Sequence, residues 1–377
     1  MLPLNWQRVR LGDIGKPCMC KRVMKHQTTR YGEIPFYKIG TFGNTADAFI
    51  SKKLFLEYKT KYSFPKKGDI LISASGTIGR AVIYDGKPAY FQDSNIVWID
   101  NDETLVKNDF LFYAYSNVKW NTEHTTILRL YNDNFRNTLI PLPPLNEQNA
   151  IANILSGLDR YLYALDALIL KKEGVKKALS FELLSQRKRL KGFNQAWQRV
   201  RLGDIFFITA GGDLSKPHYS NTKQSDFNYP IYSNAIEKKG LCGYSSFFII
   251  KNKSITITAR GTIGVAFFRD YPYVPIGRLL VLQPKISNID CRFYAEYINS
   301  KVKFNTEQTT IPQLTIPKVA LCEIPLPPLN EQIAIANILS ALDNEIASLK
   351  NKKRQFENIK KALNHDLMSA KIRVLEK

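Results

Sequence analysis

The sequence has 377 residues, of which 44% are hydrophobic and 12% aromatic, and this apolar content excludes wholesale disorder. Lysine and arginine number 54 against 33 acidic residues, and the net charge of +21 attracts polyanions, of which nucleic acid is the commonest. No stretch is long and apolar enough to span a bilayer, and the first residues lack the pattern of an export signal. We therefore expect a cytoplasmic protein.

The cysteines do not form a recognisable framework. There are five, and only Cys18 and Cys20 lie close together in sequence. Neither has a His or Cys pair at the spacing of a zinc site, and the four histidines form no metal-binding pair. The sequence predicts reduced thiols and no metal site.

The first recognisable element along the chain is a segment led by Trp6, and its residues Trp-Gln-Arg-Val-Arg-Leu-Gly-Asp-Ile recur from Trp197. Three further segments recur in the same order, at separations of 184 or 185 residues. Four ordered matches indicate an internal repeat of one unit. The further segments lie at 76–79 and 261–264 (both Gly-Thr-Ile-Gly), at 121–127 and 305–311, and at 140–148 and 324–332.

A variable stretch follows each Trp-led segment, and it has the pattern of mixed, mostly β structure. The runs 69–74 and 254–259 are rich in β-branched residues, which predicts strands, and each run leads into the Gly-Thr-Ile-Gly turn. Two interpretations of the turn stay open. Its glycines can serve geometry alone, or the turn can bring backbone amides and Arg80 or Arg260 to DNA phosphates.

A proline pair closes each β-rich stretch and precedes a long helical segment. Asn146 and Asn330 stand where a helix N-cap is preferred, and Glu147 and Glu331 follow where the helix dipole favours negative charge. We expect the first helix to reach about Lys191 and the second to continue towards the end of the chain. A basic run ends the first helix, and it is equally suited to contact phosphates or to be a solvated helix end.

Apolar residues in both helical segments recur at alternating steps of four and three, a heptad-like seam suited to packing of helix against helix. Two helices of similar length predict an antiparallel coiled coil, and the alternative is that each helix packs on its own domain. Lys353 and Lys360 interrupt the second seam. The seam residues are Ile151, Leu155, Leu158, Leu162, Leu165, Ile169, Ile335, Leu339, Leu342, Ile346, Leu349, Phe356, Leu363 and Leu367.

Motifs of an autonomous enzyme are missing from the sequence. The proline pairs sit in Leu-Pro-Pro-Leu, which offers neither the amide nor the aromatic ring of an adenine methyltransferase motif. The segment 210–213 (Ala-Gly-Gly-Asp) is a weak match to a cofactor-binding turn, and there is no Walker-type phosphate loop. The sequence therefore predicts no catalytic residue and no cofactor in this chain.

The two Ile-Pro-Leu-Pro-Pro-Leu-Asn-Glu-Gln segments, each preceding a long helix and following the Gly-Asp-Ile and Gly-Thr-Ile-Gly elements, resemble the specificity subunits of type I restriction–modification systems. The resemblance covers essentially the whole chain. It implies an α+β fold in which two target-recognition domains of mixed, mostly β structure are separated by two long antiparallel helices, with a pseudo-twofold internal repeat. The implied domains are 1–143 and 197–327, and the implied spacer helices are 144–196 and 328–377.

The resemblance also implies a function. A specificity subunit binds double-stranded DNA at a bipartite, asymmetric site, and it directs two methyltransferase subunits and the restriction and translocase subunits to that site. S-adenosylmethionine, ATP and Mg²⁺ would then belong to the partners. Two alternatives stay open: a specificity module for a fused nuclease–methyltransferase, and a basic coiled-coil scaffold that binds RNA or an acidic protein.

Candidate DNA-reading residues are hydrogen-bonding or basic side chains in the loops of each variable stretch, because base edges are read by such side chains in the grooves. The candidates of the first stretch are Lys38, Thr41, Ser75, Thr77, Arg80, Gln92, Ser94, Asn95, Arg129 and Tyr131. The candidates of the second stretch are Ser233, Asn234, Lys238, Arg260, Thr262, Arg278 and Gln313.

Overall fold

The chain forms two compact units in the computed structural model, which describes residues 5–122, 128–304 and 313–374. One unit consists of Met1–Asp166 with Lys352–Lys377, and the other of Ala167–Asn351. Each unit combines one β-rich portion with part of both long helices. Most of the repeat at 121–127 and 305–311 lies outside the described residues.

The first unit contains two sheets and a two-stranded ribbon. Its strands are β1 (Gln7–Arg10), β2 (Gly15–Cys18), β3 (Ile34–Tyr37), β4 (Phe49–Ile50), β5 (Ile70–Ser73), β6 (Ala81–Ile83), β7 (Tyr90–Phe91), β8 (Ile96–Asn101) and β9 (Leu139–Leu142). Its short helices are α1 (Leu11–Ile14), α2 (Lys52–Lys61), α3 (Asn108–Tyr115) and α4 (Asn132–Arg136).

The larger sheet of the first unit has the antiparallel order β2-β8-β5-β6 and separates two cores. Strand β5 confirms the strand predicted at 69–74, and its side chains alternate between the faces. Ile70 and Ile72 enter one core, which includes α3, whereas Leu71 enters the other with Trp98. The second core is covered by the three-stranded sheet β4-β3-β7. Because both faces are buried, β5 is a continuous apolar run.

The second unit repeats this plan with strands β10 to β19. The sheet β11-β18-β15-β16 corresponds to the larger sheet, and β12-β14-β13-β17 forms the second sheet. The strands are β10 (Gln198–Arg201), β11 (Phe206–Ala210), β12 (Tyr219–Ser220), β13 (Tyr229–Tyr232), β14 (Leu241–Ser245), β15 (Ser254–Ile257), β16 (Ala266–Arg269), β17 (Val274–Pro275), β18 (Leu280–Pro284) and β19 (Glu323–Leu326). The helices of its β-rich portion are α6 (Leu202–Ile205), α7 (Cys291–Lys301) and α8 (Ile316–Ala320).

The Gly-Thr-Ile-Gly segment is the turn between β5 and β6 in the first unit and between β15 and β16 in the second. The hydroxyls of Ser73 and Thr258 accept hydrogen bonds from backbone amides on the far side of the turn, at 2.9 and 3.0 Å. Gly79 has a φ of +82°, and a Cβ added there would lie 2.1 Å from the Trp120 indole nitrogen. The second turn repeats this arrangement with Gly264 against Phe304. Geometry alone therefore accounts for these two glycines.

The Trp-led segment and the Pro-rich segment of each unit pair as an antiparallel ribbon. Strand β1 pairs with β9, with Gln7 opposite Leu142, and β10 pairs with β19, with Gln198 opposite Leu326. Two-stranded ribbons suit these strands because proline is tolerated only at a sheet edge. The most strongly repeated parts of the sequence thus meet at the base of each unit, where a long helix begins.

The long helices are α5 (Leu145–Leu184) and α9 (Leu329–Met368). Both begin earlier than expected, so Asn146 lies inside the first turn, where its Oδ1 accepts from the Glu147 amide, rather than at the N-cap. Helix α5 ends before Lys191, because the backbone turns into the left-handed region at Gln186, with φ 60°. Helix α9 ends before the C-terminal residues, and Ala370 has φ 56° after it.

The two long helices pack together in an antiparallel sense, which confirms the predicted fold class. In the first unit, Lys353 Nζ lies 2.6 Å from Asp166, and Lys360 pairs with Asp159. Residue numbers therefore rise along α9 as they fall along α5. These two pairs also explain why lysines interrupt the apolar seam, since each lysine faces an aspartate of the other helix.

The second unit has its own set of ion pairs between the helices. Lys176 lies 2.6 Å from Asp343 of α9 and 3.2 Å from Glu296 of α7. Burial alone would lower the pKa of Lys176, but the hydrogen bond to Asp343 and the charge of Glu296 raise it, so the side chain stays charged. Lys172–Glu345 and Lys350–Glu173 add pairs at 2.8 and 2.6 Å.

The fourteen seam residues are all buried or half-buried. Those in the middle of the helices line the contact between the helices, where the Tyr161 ring packs 4.7 Å from the Phe356 ring. Those near the helix ends, such as Ile151 and Leu339, also enter the core of the adjacent β-rich portion. Packing between helices and packing on a domain therefore both occur along the same seam.

No helix within the described residues is long and apolar enough to cross a membrane. The same part of the chain contains no group of His, Cys, Asp and Glu side chains that could hold a metal ion. The five cysteines are free, and burial raises the pKa of the Cys20 and Cys291 thiols to about 12, so both remain protonated at neutral pH.

The close approach at Gly79 yields a stability prediction. Gly79→Ala should lower the free energy of unfolding more than Gly76→Ala, which lies in the same turn with φ +68° and has no neighbour within 4 Å. The control should lose about 1 kcal/mol from backbone strain, and Gly79→Ala roughly 2 kcal/mol more from the clash with Trp120. Urea denaturation followed by tryptophan fluorescence measures both, and equal losses would contradict the role given to Trp120.

Candidate nucleic-acid interface

Four loop segments of the first unit converge at one end of the larger sheet. Gln92 Oε1 accepts a hydrogen bond from the Ile39 amide at 2.9 Å, which joins the loop after β7 to the loop after β3. Arg80 Nη2 donates to Gly43 O and to Asn44 Oδ1, both at 3.4 Å, which joins the Gly-Thr-Ile-Gly turn to that same loop. The structure thus brings together segments separated by some fifty residues.

The fourth segment, which contains Arg129 and Tyr131, joins the other loops through Ser75. Its Oγ donates to Asn95 Oδ1 at 2.7 Å, and its backbone forms an antiparallel bridge with Arg129. Tyr131 follows at the N-terminus of α4 with 41% of its surface exposed. Ser94, beside Asn95, has φ 58°, a conformation that is uncommon outside glycine and is often found at functional loops.

The ten candidates of the first unit divide into two groups. One group makes internal contacts that hold the loops, namely Thr41, Ser75, Gln92, Ser94 and Asn95. The other group presents side chains or charges at the surface, namely Lys38, Thr77, Arg80, Arg129 and Tyr131. Among these, Lys38 is half-buried and pairs with Asp47 at 2.8 Å.

The second unit has an equivalent cluster with different residues. Asn234 bridges two loops, since its Oδ1 accepts from the Ala259 amide at 2.7 Å and its Nδ2 donates to Gly277 O at 2.6 Å. Arg260 and Arg278 directly follow these two partners and are exposed. Asn234 therefore fixes the separation of two arginine-bearing loops.

The remaining candidates of the second unit surround this bridge. Arg260 forms a backbone bridge with Gln313 and donates to its Oε1 at 3.4 Å, as Ser75 and Arg129 are bridged in the first unit. The Ser233 amide donates to Gly240 O, which places Lys238 in the adjoining turn, and Thr262 is exposed in the Gly-Thr-Ile-Gly turn. Exposed cations on loops that are fixed by such hydrogen bonds can contact phosphates and groove edges.

A buried carboxylate anchors the base of the first unit. Glu147, in the first turn of α5, accepts from the Trp6 indole nitrogen at 2.9 Å. Arg373, from the segment after α9, donates to both carboxylate oxygens, at 2.7 and 2.9 Å. The start of one long helix, the end of the other and the Trp-led ribbon therefore meet at one side chain.

The second unit contains the same arrangement of a buried glutamate held by a tryptophan and an arginine, and we call this arrangement the clasp. Glu331 accepts from the Trp197 indole nitrogen at 2.8 Å, and Arg189 donates to both of its oxygens at 3.2 and 2.7 Å. The Glu331 side chain is 1% exposed, so these bonds replace its lost hydration. Arg189 lies in the basic run after α5. The sequence left two interpretations of that run open, a phosphate contact and a solvated helix end, and Arg189 fits neither of them.

The glutamine after each clasp glutamate ties the long helix to the β-rich portion. Gln148 Oε1 accepts from the Lys107 amide, and its Nε2 donates to Leu105 O and Pro143 O. Gln332 makes the same three kinds of bond with Asp290, Asn288 and Pro327. Both glutamines are fully buried, so the Asn-Glu-Gln motif is a structural joint.

The two arginines of the clasp were missed by the sequence analysis. They carry a signal, because Arg189 and Arg373 are 184 residues apart, the same separation as the Pro-rich segments. A buried pair, Leu183–Leu184 or Leu367–Met368, and a serine precede each arginine. The surrounding residues differ enough to hide this fifth repeat by eye.

The chain matches the family described as Type I restriction modification DNA specificity domain over residues 3–172 and again over 194–358. A type I restriction enzyme specificity subunit of Haemophilus influenzae is 64% identical over 148 residues, which cover 39% of this chain and 38% of that protein. The MjaVIII specificity subunit of Methanocaldococcus jannaschii is 27% identical, and the match covers 99% of this chain and 94% of that protein.

A solved structure has the same fold. It is the S subunit of a type I restriction–modification system from M. genitalium, with a TM-score of 0.68 and 18% sequence identity over 97% of this chain and 98% of that one. Together with the two family matches, this agrees with the internal repeat observed in the fold.

The buried clasp predicts a large effect on stability. Glu331→Ala removes the only carboxylate that Trp197 and Arg189 contact in the clasp, and it should lower the free energy of unfolding by about 3 kcal/mol. Glu345→Ala is the matched control on the same helix, because that glutamate is 45% exposed and pairs with Lys172 at the surface.

The control should lose less than about 1 kcal/mol. Denaturation of the full chain, followed by tryptophan fluorescence, provides the comparison. Similar losses for the two variants would show that the clasp does not contribute more than a surface ion pair.

Proposed function

This chain belongs to the type I restriction–modification DNA specificity family, and on that premise we propose that it reads one bipartite, asymmetric DNA site with two unlike domains. Each β-rich portion binds one half-site through its converging loops. The half-sites differ because the exposed loop residues of the two units differ, whereas the buried framework is repeated. The protein works in the cytoplasm.

The observation that carries this proposal is the paired loop clusters. In both units, loops from distant parts of the sequence are fixed to one another by side chains, and they expose arginines such as Arg80 and Arg260. The net charge of +21 adds a general attraction for the DNA backbone. Rigidly held donors can discriminate base edges, whereas a scaffold for an acidic protein would need no such fixed geometry.

This chain recognises the DNA site, and its partner subunits catalyse the reactions there. Two methyltransferase subunits bind the long helices and carry S-adenosylmethionine, and restriction and translocase subunits carry ATP and Mg²⁺. The family match gives no support to the fused nuclease–methyltransferase or to the RNA or protein scaffold. The partners' identity is tested by the chains that co-purify with this one.

Mapping adenine methylation across the genome, with and without this gene, tests the proposed function. We expect one bipartite motif with two different half-sites to lose methylation when the gene is deleted. Restoring the gene should restore methylation at the same motif. A methylation pattern that does not change would contradict the proposal.

The paired helices set the gap between the half-sites, and this predicts the effect of a heptad deletion. Removing 163–169 together with 350–356 deletes one heptad from each helix and takes out Asp166 and Lys353 as a pair. The helices should shorten by about 10 Å, so the mapped site should lose roughly three base pairs of its gap.

Both half-sites should stay the same in the deletion variant. The single deletion of 163–169 is the control, because it breaks the register of the ion pairs and should abolish methylation rather than shift the gap. Altered half-sites in the double deletion would rule out a spacer role.

The division into two readers predicts that specificity is modular. Replacing 197–326 with the corresponding domain of a homologue that keeps the clasp tryptophan should change one half-site and leave the other and the gap intact. Methylation mapping in cells provides the readout. If both half-sites change, the two domains do not read DNA independently.

A further inference from the structure

A fully buried arginine lies beneath a surface turn of the second unit. Arg269, the last residue of β16, is 1% exposed. Its Nε donates to Thr256 Oγ1 at 3.2 Å, and its guanidinium lies 3.6 Å from the centre of the Tyr232 ring. These partners carry no charge. Burying a guanidinium among uncharged partners costs free energy, so another interaction must compensate for that cost.

A second hydrogen bond of Arg269 leads to the turn at residues 236–240. Its Nη2 donates to Lys239 O at 2.5 Å. Lys238 and Lys239 have φ values of 48° and 55°, and two consecutive residues with side chains in the left-handed region are strained. Arg269 thus holds a turn that the lysines would not favour by themselves.

This turn adjoins the loop cluster of the second unit. Gly240 O accepts from the Ser233 amide at 2.9 Å, and the next residue, Asn234, bridges the loops of Arg260 and Arg278. Lys238 and Lys239 are both exposed. Two lysines and two arginines therefore sit on connected loops, with a fifth positive charge buried below them.

The first unit does not contain this arrangement. Strand pairing places Tyr84 where the second unit has Arg269, since Tyr84 faces Asp69 as Arg269 faces Ser254. The Tyr84 hydroxyl donates to Lys87 O at 2.7 Å and brings no charge. The buried cation therefore belongs to the variable part of the second unit rather than to the repeated framework.

We propose that the turn at residues 236–240 is a phosphate clamp for the backbone of duplex DNA, with Arg269 as its positioning residue. Lys238 and Lys239 contact phosphates, and Arg269 holds the carbonyl of Lys239 so that both ammonium groups face the backbone. The buried charge is compensated when phosphates arrive. The clamp fixes the register of the second domain on DNA and reads no base, and this inference rests on the proposed function.

Salt dependence of binding tests the clamp directly. Each lost phosphate contact reduces the slope of log K against log salt by about 1 and weakens binding to all sequences alike. Lys238→Ala and Lys239→Ala should each show this loss in the full chain with its co-purifying partners. Lys239→Gly should match Lys239→Ala, although glycine relieves the backbone strain. Lys223→Ala, which changes an exposed lysine outside the turn, is the matched control and should keep the wild-type slope.

Arg269 is tested by its effect on the lysines. Arg269→Met should reduce the slope about as much as Lys238→Ala and Lys239→Ala combined, whereas Arg269→Lys, which keeps a donor for Lys239 O, should retain most of it. Melting temperatures check that each variant is folded. If Arg269→Met does not fold, the lysine variants alone decide the test.

The slope is measured on two duplexes, one carrying the mapped target and one with the target scrambled. If Lys238→Ala and Lys239→Ala have the same slope as Lys223→Ala on either duplex, the clamp proposal is overturned. Wild-type protein that binds both duplexes equally would contradict the proposed function alone, because phosphate contacts act on any sequence. A change in the preferred half-site would also overturn the clamp, since it would make the lysines base readers.

Discussion

The structure depends on one buried glutamate in each unit. Glu147 and Glu331 are almost fully shielded from water, and each forms an ion pair with an arginine and accepts a hydrogen bond from a tryptophan. A buried carboxylate that loses such partners is strongly destabilising, so the three elements that meet there must assemble together. These elements are the Trp-led ribbon, the start of one long helix and the segment after the other. The glutamate therefore couples the folding of a β-rich portion to the pairing of the helices.

This coupling explains which parts of the sequence are repeated. The repeated segments supply the ribbon, the clasp, the buried glutamine and the glycine turn, and every one of these has a geometric or buried role. The loop clusters of the two units, in contrast, expose different residues. A framework fixed by burial can present different loops without changing its own contacts, and different half-sites require that property.

Charge has two separate uses in the molecule. Between the helices, lysines such as Lys353 and Lys360 face aspartates, so they set the antiparallel register and contribute little to the net charge. In the loop clusters, Arg80 and Arg260 are exposed and donate to uncharged groups, namely Gly43 O, Asn44 Oδ1 and Gln313 Oε1. Ion pairs between the helices thus specify the fold, while exposed arginines on the loops favour an anionic partner.

The sequence by itself determined the internal repeat, the strands at 69–74 and 254–259, the antiparallel helices and the family, because all of these leave periodic or recurring patterns. It also predicted a set of loop residues as candidate DNA readers, and the structure brings several of them together. Only the tertiary structure decided that Asn146 lies inside its helix, that Arg189 belongs to a clasp and that Asn234 bridges two loops. The physical reason is that each of these depends on a partner far away in sequence, and a side chain's role is set by that partner rather than by its neighbours along the chain. Arg269 shows this most clearly, since only burial distinguishes it from the many exposed arginines.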